Sequence, residues 1–188
     1  ALSVEEYLQE LQMEVVVRSV GEETAARDAQ LTQKTNQFNL TTRRYTESDI
    51  RSFFESRDTF SLFCLHLRDR FGDSGIVGVA ILRKEGDDAA TMDTFLLSCR
   101  VLGRGVEGAF LLICAKSCVR RGCRRMYGLY VPSAKNSQVK DFYIQKGFRN
   151  EGTGEDGAQR YLADAAELSR RAVPRYFRSV TLDGEEVK

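Results

Sequence analysis

Ser98-Cys99-Arg100-Val101-Leu102-Gly103-Arg104-Gly105-Val106 joins an apolar, strand-like segment to a long apolar helix, and the junction reads Arg-x-x-Gly-x-Gly. Gly103 and Gly105 let the backbone approach a bound group closely and present successive N–H donors there. The helix that follows adds its unpaired N-terminal amides and the positive end of its dipole. This chemistry suits a pyrophosphate or a phosphodiester. Glycines at a strand–helix junction also serve sterics alone, so the surrounding chain decides between the two readings.

Working outward, residues 3–11 read as a short amphipathic helix or linker and residues 13–20 as a β-branched strand. Residues 22–37 have helical character, with Ala25, Ala26, Ala29 and Leu31 as the less polar positions. Thr46, followed by Glu47 and Asp49 and then Ile50, Phe53 and Phe54, predicts a capped second helix. Residues 59–68 and 76–83 read as two strands of a hairpin around a turn over 70–75. A third strand is expected over 89–99, after the Gly86-Asp87-Asp88 turn. The helix after Gly105 carries Val106, Ala109, Phe110, Ile113 and Cys114 on one face and has Gly122 as its C-cap. Beyond it come a strand over 125–131, a short helix over 136–146 ending at Gly147-Phe148, and strands over 157–162 and 176–182. The order predicts an α+β domain with a mostly antiparallel sheet.

With 188 residues, one domain with a sizeable core is expected. A hydrophobic content of 42% and a charged content of 29% are ordinary for a globular chain. The net charge of +1 gives no global attraction to nucleic acid or membrane, so neither is expected as a partner. No apolar run reaches membrane-spanning length, and no basic–apolar–small signal pattern opens the sequence. The five cysteines, Cys64, Cys99, Cys114, Cys118 and Cys123, lack metal-ligand pairing and read as reduced thiols, so a cytoplasmic location and no metal are expected. Entry from Ala1 straight into a helical pattern reads as a domain excised from a longer chain or as a processed chain.

The element order, with Arg-x-x-Gly-x-Gly between the third meander strand and a long helix, resembles the GNAT acyltransferase superfamily. Asn136 ahead of Phe142-Tyr143, with Gly147-Phe148 after a short gap, resembles a second block of that family. The resemblance implies a GNAT-like fold with coenzyme A pyrophosphate on the Gly-rich turn. It also implies a pantetheine arm lying in a splay between the strands that end near Cys99 and Tyr130.

Three longer tracts narrow the resemblance: Gln30-Leu31-Thr32-Gln33-Lys34-Thr35-Asn36-Gln37-Phe38-Asn39-Leu40-Thr41-Thr42-Arg43-Arg44-Tyr45, Asp93-Thr94-Phe95-Leu96-Leu97-Ser98-Cys99 running into the Gly-rich turn, and Pro132-Ser133-Ala134-Lys135-Asn136. Together they look like the C-terminal domain of FkbH-like proteins, which supply glyceryl groups to acyl carrier proteins on the way to methoxymalonyl-type polyketide extender units. That family implies an acyl carrier protein as partner and a covalently linked HAD-type phosphatase/glyceryltransferase domain. Residues 1–12 then stand as the linker helix from that domain, and 13–188 as the GNAT-like domain. The Asp-x-Asp motif of the HAD half is absent, so glyceryl-phosphate chemistry is not assigned to these residues.

The candidate ligand cradle is Cys99, Arg100, Val101, Gly103, Arg104, Gly105, Val106 and Asn136, taking coenzyme A or acyl-carrier phosphopantetheine. Arg100 and Arg104 suit phosphate oxygens but equally read as surface cations. Tyr143 is the candidate general acid for a departing thiolate, or an aromatic packed beside Phe142. Asp93 is the candidate base or water-orienting group, or a strand acid satisfied locally. Cys99 stands where a pantetheine thiol would approach, or is a small buried hydrophobe. Asn36, Phe38, Asn39, Thr41 and Arg43 are candidate contacts to a hydroxylated acyl group, or a loop tying helices to sheet. Arg120, Arg121, Arg124 and Arg125 either meet an acidic carrier or are solvated. His66, the one histidine, is not expected to be a base.

The leading expectation is a GNAT-fold domain binding a phosphopantetheine thioester, either transferring its acyl group or positioning the carrier. The alternatives are a catalytically silent carrier-docking module and an acetyl-coenzyme A dependent N-acetyltransferase.

Overall fold

The computed structural model describes residues 2–154 and 156–188. Among these, nine strands form one sheet: β1 (Met13–Ser19), β2 (Phe60–Asp69), β3 (Gly72–Glu85), β4 (Ala89–Leu97), β5 (Arg125–Tyr130), β6 (Arg149–Thr153), β7 (Gln159–Asp164), β8 (Phe177–Leu182) and β9 (Glu185–Glu186). Their order is β6-β7-β5-β4-β3-β2-β1-β8-β9. Neighbours pair antiparallel except β1 with β8 and β4 with β5. Strands of alternating direction come from the hairpins, whereas the β4–β5 pair needs the long crossover helix α4 (Val106–Arg120).

The strand pleat sorts the core into two layers. Phe63, Leu65, Ala80, Leu82, Phe95 and Leu97 face α4, where Phe110, Ile113 and Cys114 meet them. The intervening Leu62, Cys64, Val79, Ile81 and Leu96 face α2 (Ala25–Lys34) and α3 (Glu47–Glu55) through Ala25, Ala29, Leu31 and Ile50. Every residue of β4 is buried, as expected of a strand covered on both faces. α3 begins with a capping box: Thr46 accepts from the Asp49 N–H while Asp49 accepts from the Thr46 N–H. α1 (Val4–Glu10) docks through Leu8, and the neighbouring Leu11 reaches the same core.

Several expected boundaries move. The first long helix spans only Ala25–Lys34 and stops where Thr35 turns extended. The third meander strand ends at Leu97: the Ser98 N–H makes a last bond to the Val77 carbonyl of β3, and residues Cys99–Val101 then form a 3-10 turn. The helix expected over 136–146 is broken into a 3-10 turn, Ser137–Val139, and the short α5 (Phe142–Gln145), with Asn136 spent on other backbone groups. β6, α6 (Ala165–Ser169) and β9 were not expected at all. None of the described helices is long and apolar enough to cross a membrane.

Candidate functional site

β4 and β5 pair only as far as Met92 and Gly128, and beyond that point the two strands are no longer hydrogen-bonded to each other. The wedge between them is filled by the chain itself. Residues 38–41 run antiparallel to β4: the Leu40 N–H donates to the Phe95 carbonyl (3.2 Å) and the Leu97 N–H to the Phe38 carbonyl (3.0 Å). On the other side the Val131 N–H donates to the Leu40 carbonyl at 2.8 Å. Phe38 projects to the α4 side, edge-on to Phe142 at 5.4 Å and tilted against Phe95 at 6.2 Å. The segment therefore behaves as a short inserted strand, satisfying the polar backbone that the splay would otherwise leave open.

Asn136 locks this insertion. It is fully buried, and its amide donates to the carbonyls of Asn39 and Val131, both at 3.0 Å. Its Oδ1 accepts from the Ser133 N–H at 2.8 Å and from the Tyr130 hydroxyl at 3.2 Å. Asn39 is equally buried: it donates to the Thr35 carbonyl and accepts from the Thr42 N–H at 2.9 Å. Thr41 donates its hydroxyl to the Asp93 carbonyl at 2.8 Å. These expected ligand residues thus spend their polar groups on the fold.

The Gly-rich turn has the backbone its sequence calls for. Gly103 and Gly105 adopt φ of +80° and +73°, where side chains are strained, and α4 starts directly after Gly105. A Cβ at Gly103 would meet nothing within 4 Å, but the Gly105 end of the turn is covered. A Cβ at Gly105 would lie 1.9 Å from the Tyr176 hydroxyl, so that phenol sits against the glycine. Burial, and then the charges of Glu107 and Glu5, push the Tyr176 phenol above its ordinary range. Glu107, in the first turn of α4, has its Oε2 buried without a hydrogen-bond partner among the described residues. A carboxylate is favoured at that position by the helix dipole and repels a second anion there. Arg104 turns to Asp69 (2.6 Å) and Arg100 to the Ser74 carbonyl (3.1 Å), while Val101 and Val106 are core residues. Residues 38–41 thus use the backbone of the wedge, and Tyr176 and Glu107 crowd the Gly105 side of the cradle, the two places where the resemblance puts coenzyme A.

The two candidate catalytic groups lie apart. Tyr143 is 1% exposed, packed on Phe142, Phe148 and Tyr161, and its hydroxyl meets the Met92 sulfur at 3.9 Å. Burial raises its phenol far above the ordinary range. Its surroundings are those of the packing alternative. Asp93 sits at an irregularity in the β3–β4 ladder and is 5% exposed. Its Oδ1 accepts from Arg43 at 2.6 Å, and its Oδ2 from Tyr45 at 2.6 Å and Thr94 at 2.9 Å. Both carboxylate oxygens accept hydrogen bonds within the fold, as the locally satisfied alternative describes. Sequence reasoning missed Tyr45, whose hydroxyl completes this cluster and whose phenol is raised chiefly by burial and then by its bond to Asp93.

Cys99 departs from the buried alternative: it is exposed, whereas Cys64, Cys114, Cys118 and Cys123 are buried. With Ser98 and Leu97 it forms part of a cleft of about 580 Å³ at the end of β4, closed by Arg27, Lys34, Asn36 and Lys135. Of the arginine cluster, Arg121 is consumed by the carbonyls of Arg57, Asp58 and Phe60 and by Ser61, and Arg125 by Asp88.

No protein-family model and no curated protein matches the sequence. Solved structures do resemble the fold. The GNAT domain of S. lividans PAT superposes with a TM-score of 0.61 at 19% identity, over 79% of this chain and 89% of that one. An acetyltransferase from Thermus thermophilus gives 0.61 at 20% identity, over 82% and 99%. Aminoglycoside acetyltransferase AAC(6')-Ib, in complex with coenzyme A, gives 0.60 at 17% identity, over 84% and 99%. The chain has the GNAT acetyltransferase fold, a mixed sheet flanked by helices.

Proposed function

We propose that this chain is a carrier-docking module of an FkbH-like glyceryl-supply protein, with the GNAT fold retained and acyl transfer lost. The observation that carries the reading is the strand of residues 38–41 in the β4–β5 wedge, hydrogen-bonded on both sides and pinned by Asn136. A pantetheine arm needs the backbone groups that this strand already uses. The covered cradle at Gly105 and Glu107, the core position of Tyr143 and the double commitment of Asp93 support the same conclusion. The resemblance of the tracts around Asn36, Asp93 and Pro132 to FkbH-like proteins supports an acyl carrier protein as partner and a HAD-type domain as the seat of chemistry. In this reading α1 is the link to that domain.

The test is calorimetry with apo and holo acyl carrier protein, run beside a transfer assay using acetyl- and glyceryl-thioester donors. Carrier binding without acyl transfer is the expected result. A second reading, an acetyl-coenzyme A dependent N-acetyltransferase, is favoured by the fold shared with acetyltransferases such as AAC(6')-Ib. It requires residues 38–41 to leave the wedge, and turnover in the transfer assay would establish it in place of the docking module.

A further inference from the structure

The open space that remains beside the filled wedge is the cleft of about 580 Å³ at the C-terminal end of β4. One wall is α2, with Arg27, Leu31 and Lys34, and the other is the loop after β5, with Lys135. Among the described residues, three cations line it and no carboxylate does. Arg27 bonds neutral groups, the Gln30 side chain at 2.6 Å and the Ile76 carbonyl at 3.3 Å. Among the described residues, neither Lys34 nor Lys135 has an ion-pair partner. In a chain of net charge +1, three uncompensated cations around one concavity make a strong local bias toward an anion. The apolar floor, Leu31, Phe38 and Leu97, leaves room for an uncharged arm attached to that anion.

We infer that this cleft binds a phosphate ester through Arg27, Lys34 and Lys135, with the attached arm lying on the outside of the wedge strand. The inference deepens the docking reading by giving the carrier's phosphodiester a place that does not require the wedge. Two sources supply that chemistry, the phosphopantetheine of a holo carrier and a free nucleotide such as coenzyme A, and one experiment separates them.

Cys99 lines the same cleft and is exposed, so its alkylation rate reports occupancy. The rate is measured with iodoacetamide on the intact chain, alone and with phosphopantetheine, unphosphorylated pantetheine, coenzyme A, apo carrier or holo carrier. Phosphopantetheine is expected to slow alkylation several-fold and pantetheine to leave it unchanged, with protection fading as salt is raised. A Lys34→Gln/Lys135→Gln variant, altered only at surface side chains and checked for folding by circular dichroism, should need about tenfold more ligand for equal protection. Equal protection by the phosphorylated and unphosphorylated arms, or unchanged protection in the folded variant, overturns the inference. Holo carrier that binds by calorimetry without shielding Cys99 also overturns it, while leaving the docking module standing. Shielding by coenzyme A with no carrier binding assigns the cleft to a free nucleotide and removes the docking reading instead.

Discussion

The side-chain amide of Asn136 donates to the Asn39 carbonyl at 3.0 Å, across 97 residues of sequence, and that bond closes the β4–β5 wedge over the inserted strand. Asn136→Ala removes this donor, its second bond to Val131, and the acceptor used by Ser133 and Tyr130. Loss of a buried, fully bonded amide should cost about 2–4 kcal/mol. Hydrogen exchange should show the Leu40 and Val131 amides opening earlier than those of the β2–β3 hairpin. Uniform loss of protection across the sheet would show that Asn136 supports the whole domain rather than the wedge.

Tyr143→Phe should change stability by less than about 1 kcal/mol, because the hydroxyl meets a thioether and no stronger acceptor among the described residues. Carrier affinity should be unaffected. Gly128→Ala is the harsher change: its Cβ would lie 2.5 Å from the Tyr143 ring, and urea unfolding should register a loss of about 1–3 kcal/mol.

Asp28 is fully buried with neither carboxylate oxygen hydrogen-bonded among the described residues, and burial raises its carboxyl to about 7. In the unfolded chain it titrates near about 3.9, so the folded state binds this proton more tightly. The stability linked to it is full below the unfolded value and is lost as pH rises through about 7. Urea titrations from pH 4 to 8 should therefore show the wild type losing about 2–4 kcal/mol more than Asp28→Asn. Parallel pH profiles would place a hydrogen-bond partner on that carboxylate.

Glu107→Gln removes the negative charge from the first turn of α4. The helix N-terminus should then accept inorganic pyrophosphate about two- to fivefold more tightly, read from the Val106 and Gly108 amide resonances. No gain would mean that the Tyr176 ring alone keeps anions away.

Under native conditions one thiol of the five should react with iodoacetamide, and mass spectrometry should place the label on Cys99. Rapid labelling at Cys114 would indicate opening of the α4 layer.

Much of the architecture was legible because burial leaves a pattern. The unbroken apolar run Leu62, Phe63, Cys64 and Leu65 suits a strand covered on both faces, and the acids and apolar positions after Thr46 mark a capped helix. β6 has no such pattern: Arg-Asn-Glu-Gly-Thr is exposed throughout and held by its backbone pairing to β7. The Gly-rich turn was legible as backbone, since Gly103 and Gly105 do take positive φ. What covers it was not, because Tyr176 lies 71 residues beyond Gly105 and no local periodicity encodes the meeting. The tract of polar residues around Phe38 and Leu40 reads from sequence as a ligand-facing loop. Its amides and hydroxyls turn out to bond the protein's own carbonyls, a distinction that depends on where β4 and β5 part.

The parallel pairing of β1 with β8 sets Met13 beside Phe177 and Val17 beside Leu182. During synthesis on the ribosome, β1 has one edge without a partner until β8 emerges. Its other edge is satisfied earlier, when β2 appears. The nascent domain therefore carries an unpaired strand edge, Val15 to Val17, through most of its translation, the feature that draws chaperones and seeds intermolecular pairing. Closure by β8, β9 and the Asp183 side chain, which accepts from both the Ser19 N–H and hydroxyl, comes last. Slow codons or a missing chaperone late in synthesis would thus reduce the yield of this domain more than a comparable delay near the β2–β3 hairpin.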